Sequence, residues 1–166
     1  TGNQFTEIQL NKTSTTLIVG ENGSGKSTVL DALCFGLFSK PFRRINRPQL
    51  INSINDGGLL VEIEFEVGSK SYMVRRGIKK NIFEIFVDGQ RLNQDAKTQD
   101  QQEYLEKTIL KLNYKSFTQI VLLGANHYIP FMQLKTQDRK GIVEDLLDIQ
   151  IFSVMNHLLR YKISEN

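Results

Sequence analysis

Residues 15–36 constrain this chain more than any other stretch. Leu17-Ile18-Val19 runs into Gly20-Glu21-Asn22-Gly23-Ser24-Gly25-Lys26-Ser27-Thr28, and Val29 to Gly36 follows as an apolar helical pattern. Gly20 to Ser27 matches G-x-x-x-x-G-K-[ST], the strand–loop–helix motif that cradles phosphates. In a chain of this length four fixed positions arise by chance about once in 200 sequences at ordinary residue usage. The glycines let backbone N–H groups approach an anion closely, and the following helix aims the positive end of its dipole at the same place. The spacing therefore predicts a nucleotide site built from Asn22, Gly23, Ser24, Gly25, Lys26, Ser27 and Thr28. Lys26 is the expected catalytic residue, reaching the β- and γ-phosphates of ATP, and Ser27 is the expected magnesium ligand.

The totals bound what else the chain can be. Its 166 residues suit one domain, and 40% apolar with 23% charged is ordinary for a globular protein. No apolar run approaches the roughly 20 residues of a membrane span, so no membrane partner is expected. There is no signal-peptide pattern, and a start at Thr1 rather than Met points to residues upstream. The single Cys34 excludes an internal disulfide and a cysteine-based zinc site, and reads as a packing residue in a reducing cytosol. A net charge of +3 permits an anionic partner without requiring one.

Taken in order, Phe5 to Leu10 alternates in part and predicts a strand, and Asn11 to Ser14 turns the chain into a second strand ending at Val19. The loop helix should run to about Phe38, with Val29, Leu30, Leu33, Leu37 and Phe38 in the core and Pro41 ending it. Lys40, Arg43, Arg44 and Arg47 surround Phe42 and Ile45 in a basic loop that could touch phosphates of ATP or of nucleic acid. Leu59 to Leu92 reads as an antiparallel meander, with turns at Gly68-Ser69 and Asp88-Gly89. Thr98 to Leu112 is a predicted helix with Leu105, Ile109 and Leu112 on one side. Ile120 to Leu123 is a continuous apolar run, expected as a buried strand, with His127 in the loop beyond it. Lys135 to Asn166 is predicted helical, with one stripe at Ile142, Val143, Leu146 and Leu147 and another at Phe152, Met155, Leu158, Leu159 and Ile163. The second stripe implies a partner helix.

A self-contained P-loop enzyme also places an acidic residue after a buried strand to hold magnesium. The nearest imitation is Ile85-Phe86-Val87-Asp88, which the following Gly89 makes a turn. The chain carries half of such a site. In this light Leu17 to Leu33 resembles the N-terminal lobe of the SbcC and Rad-type DNA-repair ATPases, relatives of the chromosome-maintenance and ABC ATPases. Gly36 to Arg43 and Gln49 to Ser53 look like the recombination endonuclease subunits of tailed bacteriophages, and the likeness continues through 117–132 and 139–147. The resemblance implies an α/β fold: a P-loop ABC-type ATPase half-head over 1–134, containing an antiparallel β-meander. A helical stalk base over 135–166 then opens a coiled coil. It also implies a C-terminal lobe of the same protein, a second head in a homodimer, a nuclease subunit docked near 135–166, and double-stranded DNA as a partner. The location implied is the cytoplasm, that of the host for a phage protein. Ala125 stands where the family carries a glutamine magnesium ligand, and Asn126 and Gln119 are the alternatives. The function expected is ATP binding for DNA-end processing, with hydrolysis only when the second lobe is present. The rival readings are another ABC-type ATPase fragment and a non-catalytic nucleotide-binding module.

Overall fold

A computed structural model describes residues 5–43, 45–51, 58–92, 98–122, 129–147 and 149–164. They belong to two compact units, Thr1–Thr98 and Gln99–Asn166.

In the first unit α1 (Lys26–Phe38) begins at Gly25, whose φ of 91° is left-handed. It ends at Ser39, φ 62°, whose N–H donates to the Phe35 carbonyl at 2.8 Å. Four strands follow as a meander: β1 (Leu59–Val67), β2 (Lys70–Ile78), β3 (Phe83–Val87) and β4 (Gln90–Arg91). They lie in sequence order and pair antiparallel. The alternation and the two turn dipeptides placed these strands correctly, because a half-buried hairpin needs only local pattern and turn chemistry.

The register sorts the sheet into two faces. Ile63, Val74 and Ile85 are directly paired across three strands, and α1 lies against β1 and β2. A Cβ on Gly36 would come within 2.4 Å of Ile63 Cδ1, so this glycine sets how closely helix and sheet approach. Cys34, Phe35, Leu37 and Phe38 are buried on the helix, with Val74 and Ile85 buried on the sheet. Val29, Leu30 and Leu33 are only half-buried. Buried Arg76 donates from Nε to the Gly36 carbonyl at 2.9 Å and stacks 3.7 Å from the centre of the Phe83 ring. On the other face Arg75 bridges Glu62 (2.6 Å) and Glu84 (3.2 Å), and Arg91 reaches Glu84 at 3.0 Å.

Two expected strands are not formed. Phe5 to Leu10 and Leu17 to Val19 have no strand assignment, and their side chains stand exposed. The reason is pairing. A strand exists only when a neighbour takes its N–H and C=O groups, and among the described residues the sheet pairs the meander strands with one another.

From Gln99 the second unit comprises the rest of α2 (Thr98–Tyr104), which runs on as a wider π-turn over Leu105–Leu110, burying Leu105 and Ile109 as their spacing predicted. Asn113 caps α3 (Tyr114–Ile120), accepting from the Lys115 and Ser116 N–H groups. That cap overturns the strand expected at Ile120–Leu123. Ile120 is the last residue of the helix, Val121 is exposed, Leu122 is buried and Leu123 lies outside the described residues. The backbone of a capped helix is already paired, so Ile120 closes α3 instead of starting a ladder, and Val121 and Leu122 follow it without strand pairing. A short turn at Phe131–Gln133 precedes α4 (Thr136–Leu146) and α5 (Gln150–Ser164). Ile142 is buried, whereas Leu146, Leu147, Phe152, Met155, Leu158, Leu159 and Ile163 are exposed.

Candidate phosphate-binding site

The loop ahead of α1 is folded as a cradle. The Ser24 N–H closes a turn on the Glu21 carbonyl at 3.2 Å, and the Thr28 N–H donates to Gly25 at 2.9 Å. Gly23 and Gly25 sit at φ 90° and 91°, which side chains rarely adopt. A Cβ on Gly20 would lie 2.5 Å from Ser24 Oγ and 3.3 Å from Ser24 Cβ, so a side chain there would turn the Ser24 hydroxyl away from its place in the loop. Lys26 arches back over the loop, its Nζ donating to the Gly20 carbonyl at 2.6 Å and the Glu21 carbonyl at 2.7 Å. A cation held there by carbonyl oxygens alone has exchangeable partners, and a phosphate is a stronger one. Ser27 and Thr28 are exposed on the first turn of α1, and Asn22 and Ser24 are exposed on the loop. The first turn contains no acidic residue that would compete with an anion. All seven expected binding residues are thus together at one helix end. The donor set fits a triphosphate, and the hydroxyls of Ser24, Ser27 and Thr28 are open to a hard cation, Ser27 being the one at the motif's metal position.

The basic loop is less free than its composition suggests. Asp31, 1% exposed in its side chain, accepts from the Arg43 backbone N–H at 2.9 Å and from Arg43 Nε at 2.7 Å. The Arg43 Nη2 lies 2.5 Å from the same carboxylate. The Arg47 guanidinium stands 5.8 Å from the centre of the Phe35 ring. Asn46 and Gln49 cap the following turn reciprocally. Arg44 lies outside the described residues. Burial, and then the Asp31 charge, push the Cys34 thiol up to about 12, so it is a packing group and not a nucleophile.

Asp88 is a turn residue, at φ 50°, accepting from the Ser71 N–H at 2.9 Å. No group of three or more His, Cys, Asp or Glu capable of holding a metal occurs among the described residues. Ala125, Asn126 and His127 lie outside them. Gln119 is on α3, and its Oε1 is buried with no hydrogen-bond partner.

Sequence reading missed two buried carboxylates. Asp31 interrupts an apolar helical stripe, and Asp145 does the same on α4, three residues after Ile142. Asp145 accepts from Ser116 Oγ at 2.5 Å and from Asn113 Nδ2, joining α4 to the cap of α3. An acidic residue in a core stripe was the available signal, since such groups are buried only when paired.

Exonuclease subunit 2 of Escherichia phage RB69 is 48% identical over 159 residues, which is 96% of this chain and 28% of that protein. The same subunit of Enterobacteria phage T4 is 48% identical over 157 residues, 95% of this chain and 28% of the relative. A DNA double-strand break repair Rad50 ATPase of Thermoplasma acidophilum is 30% identical over 144 residues, 83% of this chain and 16% of that protein. The chain thus spans just over a quarter of the length of the phage relatives. The family described as AAA domain matches residues 3–165, and the chain belongs to it.

Proposed function

We propose that this chain is the ATP-binding N-terminal lobe of an ABC-type ATPase that serves a DNA-end-processing nuclease. The observation that carries this reading is a cradle formed at Gly20–Thr28 while the segment feeding it stays uncovered. Leu17 is 85% exposed and Val19 80% exposed, directly ahead of Gly20. A run of three apolar residues there suits a strand buried on both faces, which needs neighbours beyond the meander. The C-terminal lobe of the same protein supplies them in this reading, along with the acidic residue for hydrolysis.

Within the lobe, Lys26 would leave its two carbonyl partners for the β- and γ-phosphates, and Gly23 and Gly25 would let the backbone of the loop close on them. The Ser27 hydroxyl would hold magnesium, which adds Lewis-acid charge on the phosphate oxygens when bound. Residues 1–134 form the lobe, and 135–166 the helical base of a coiled coil. The nuclease docks on that base. Its exposed apolar residues on α5 support this, as does an open groove of about 540 Å³ lined by Phe131, Met132, Arg139, Val143 and Ile149. Two heads act as a homodimer on double-stranded DNA, in the cytoplasm, that of the host for a phage protein. No helix among the described residues is long and apolar enough to cross a membrane.

The test is direct. Lys26→Ala should lower ATP affinity by about 100-fold or more, the loss of a charge-assisted phosphate contact in a closed site. Titration calorimetry reads it, and unchanged affinity refutes the cradle. Hydrolysis should appear only when the remainder of the protein is supplied, and turnover by residues 1–166 alone refutes the split site.

A further inference from the structure

Asp31 lies five residues beyond Lys26, about 7.5 Å along the axis of α1. It is past the first turn, so its charge does not serve the helix dipole. Instead it takes one edge of a guanidinium. Arg43 gives it Nε at 2.7 Å and Nη2 at 2.5 Å, with the Arg43 backbone N–H on the other carboxylate oxygen at 2.9 Å. A planar guanidinium has two double-donor edges; Asp31 takes the Nε–Nη2 edge, and no described residue takes the Nη1–Nη2 edge. A purely structural ion pair deep in a core buries both partners. Here the carboxylate is 1% exposed and the arginine 47% exposed. The clasp holds Arg43 by three contacts to one carboxylate and leaves its side chain 47% exposed, on the loop that follows the helix opening at the cradle. A buried carboxylate that orients a half-exposed donor is the arrangement that sharpens ligand recognition.

We propose that Arg43 is a phosphate-binding arginine outside the P-loop, with Asp31 as its positioning residue. The ligand class is a phosphate oxyanion that accepts the guanidinium fork, from a nucleic-acid backbone or from the nucleotide on α1. This rests on the reading that the protein binds both. The Lys26→Ala titration tests the nucleotide half of that reading separately, because Lys26 makes no contact in the clasp, and duplex binding by the unaltered protein tests the other half.

The experiment uses the full-length protein with three variants: Arg43→Lys, Arg43→Gln, and Asp31→Asn combined with Arg43→Gln. The double variant removes the buried charge together with the fork. Arg43→Lys keeps a cation near Asp31, so a folded variant is available throughout, as thermal melting verifies. Binding of a duplex oligonucleotide is measured by anisotropy across a salt series, and ATP and AMP are titrated calorimetrically. A backbone ligand raises the duplex Kd about 10-fold in all three variants. It also lowers the salt slope by about 1 in the two glutamine variants but not in Arg43→Lys. A nucleotide ligand raises the ATP Kd about 10-fold and leaves duplex binding alone. Either pattern supports the site. Wild-type affinity for duplex and ATP in the folded double variant, or in Arg43→Lys, overturns it.

Discussion

Gly36→Ala sets two effects of known size against each other. Helix propensity alone favours the alanine by about 1 kcal/mol in a helix interior. The packing opposes it: the new Cβ would meet Ile63 Cδ1 at 2.4 Å, Ile63 Cγ1 at 3.1 Å and Val61 Cγ1 at 3.2 Å. The terminal Cδ1 can swing aside, but the other two atoms are tied closely to the β1 backbone. Overpacking of this kind costs about 1–3 kcal/mol, so the net change should be a loss of about 1 kcal/mol. The midpoint of urea unfolding, followed by far-ultraviolet circular dichroism, reads the change directly. Adding Ile63→Val deletes the atom in closest conflict. The double variant should then lose less than the sum of the two single changes, and the shortfall measures the contact. A gain of about 1 kcal/mol from Gly36→Ala alone, the value propensity predicts, would refute the close approach of α1 to β1.

Two further outcomes follow from buried groups. Asp145→Ala removes the acceptor of Ser116 Oγ and Asn113 Nδ2 and leaves a buried hydroxyl unpaired. Urea unfolding should show a loss of about 2–3 kcal/mol, and a change below about 0.5 kcal/mol would mean the clamp between α3 and α4 does not form. Cys34 supplies a pH dependence. Its folded thiol is raised from 9.0 to about 12, so its contribution is fully present below pH 9 and is lost as pH rises toward 12. The unfolded chain releases that proton first, giving a fall of about 1.4 kcal/mol per pH unit in that window. Cys34→Ala should flatten this slope between pH 8.5 and about 10.5, whatever it does to stability at neutral pH. Equal slopes in the two proteins would contradict the burial of the thiol.

What the sequence by itself determined is local. The meander is legible because Val61 to Val67 alternates and Gly68-Ser69 and Asp88-Gly89 carry turn chemistry. The cradle is legible because glycine, lysine and serine must stand at fixed offsets before a helix. Both signals act over a few residues, where spacing and geometry are nearly the same thing. Tertiary structure decided the rest. Arg43 read as a free cation until it met Asp31, twelve positions away. Arg76 gave no sign of reaching the Gly36 carbonyl, forty positions away. Ile120 to Leu123 read as a strand by its apolarity, yet the Asn113 cap made its first residue the end of a helix. Leu17 to Val19 has the composition of a buried strand and is exposed, because a strand is a property of a pair of segments and not of one. Periodicity shows which face of an element seeks burial. Which partner covers it, and which buried charge finds its counterpart, depends on groups that only the folded chain brings together.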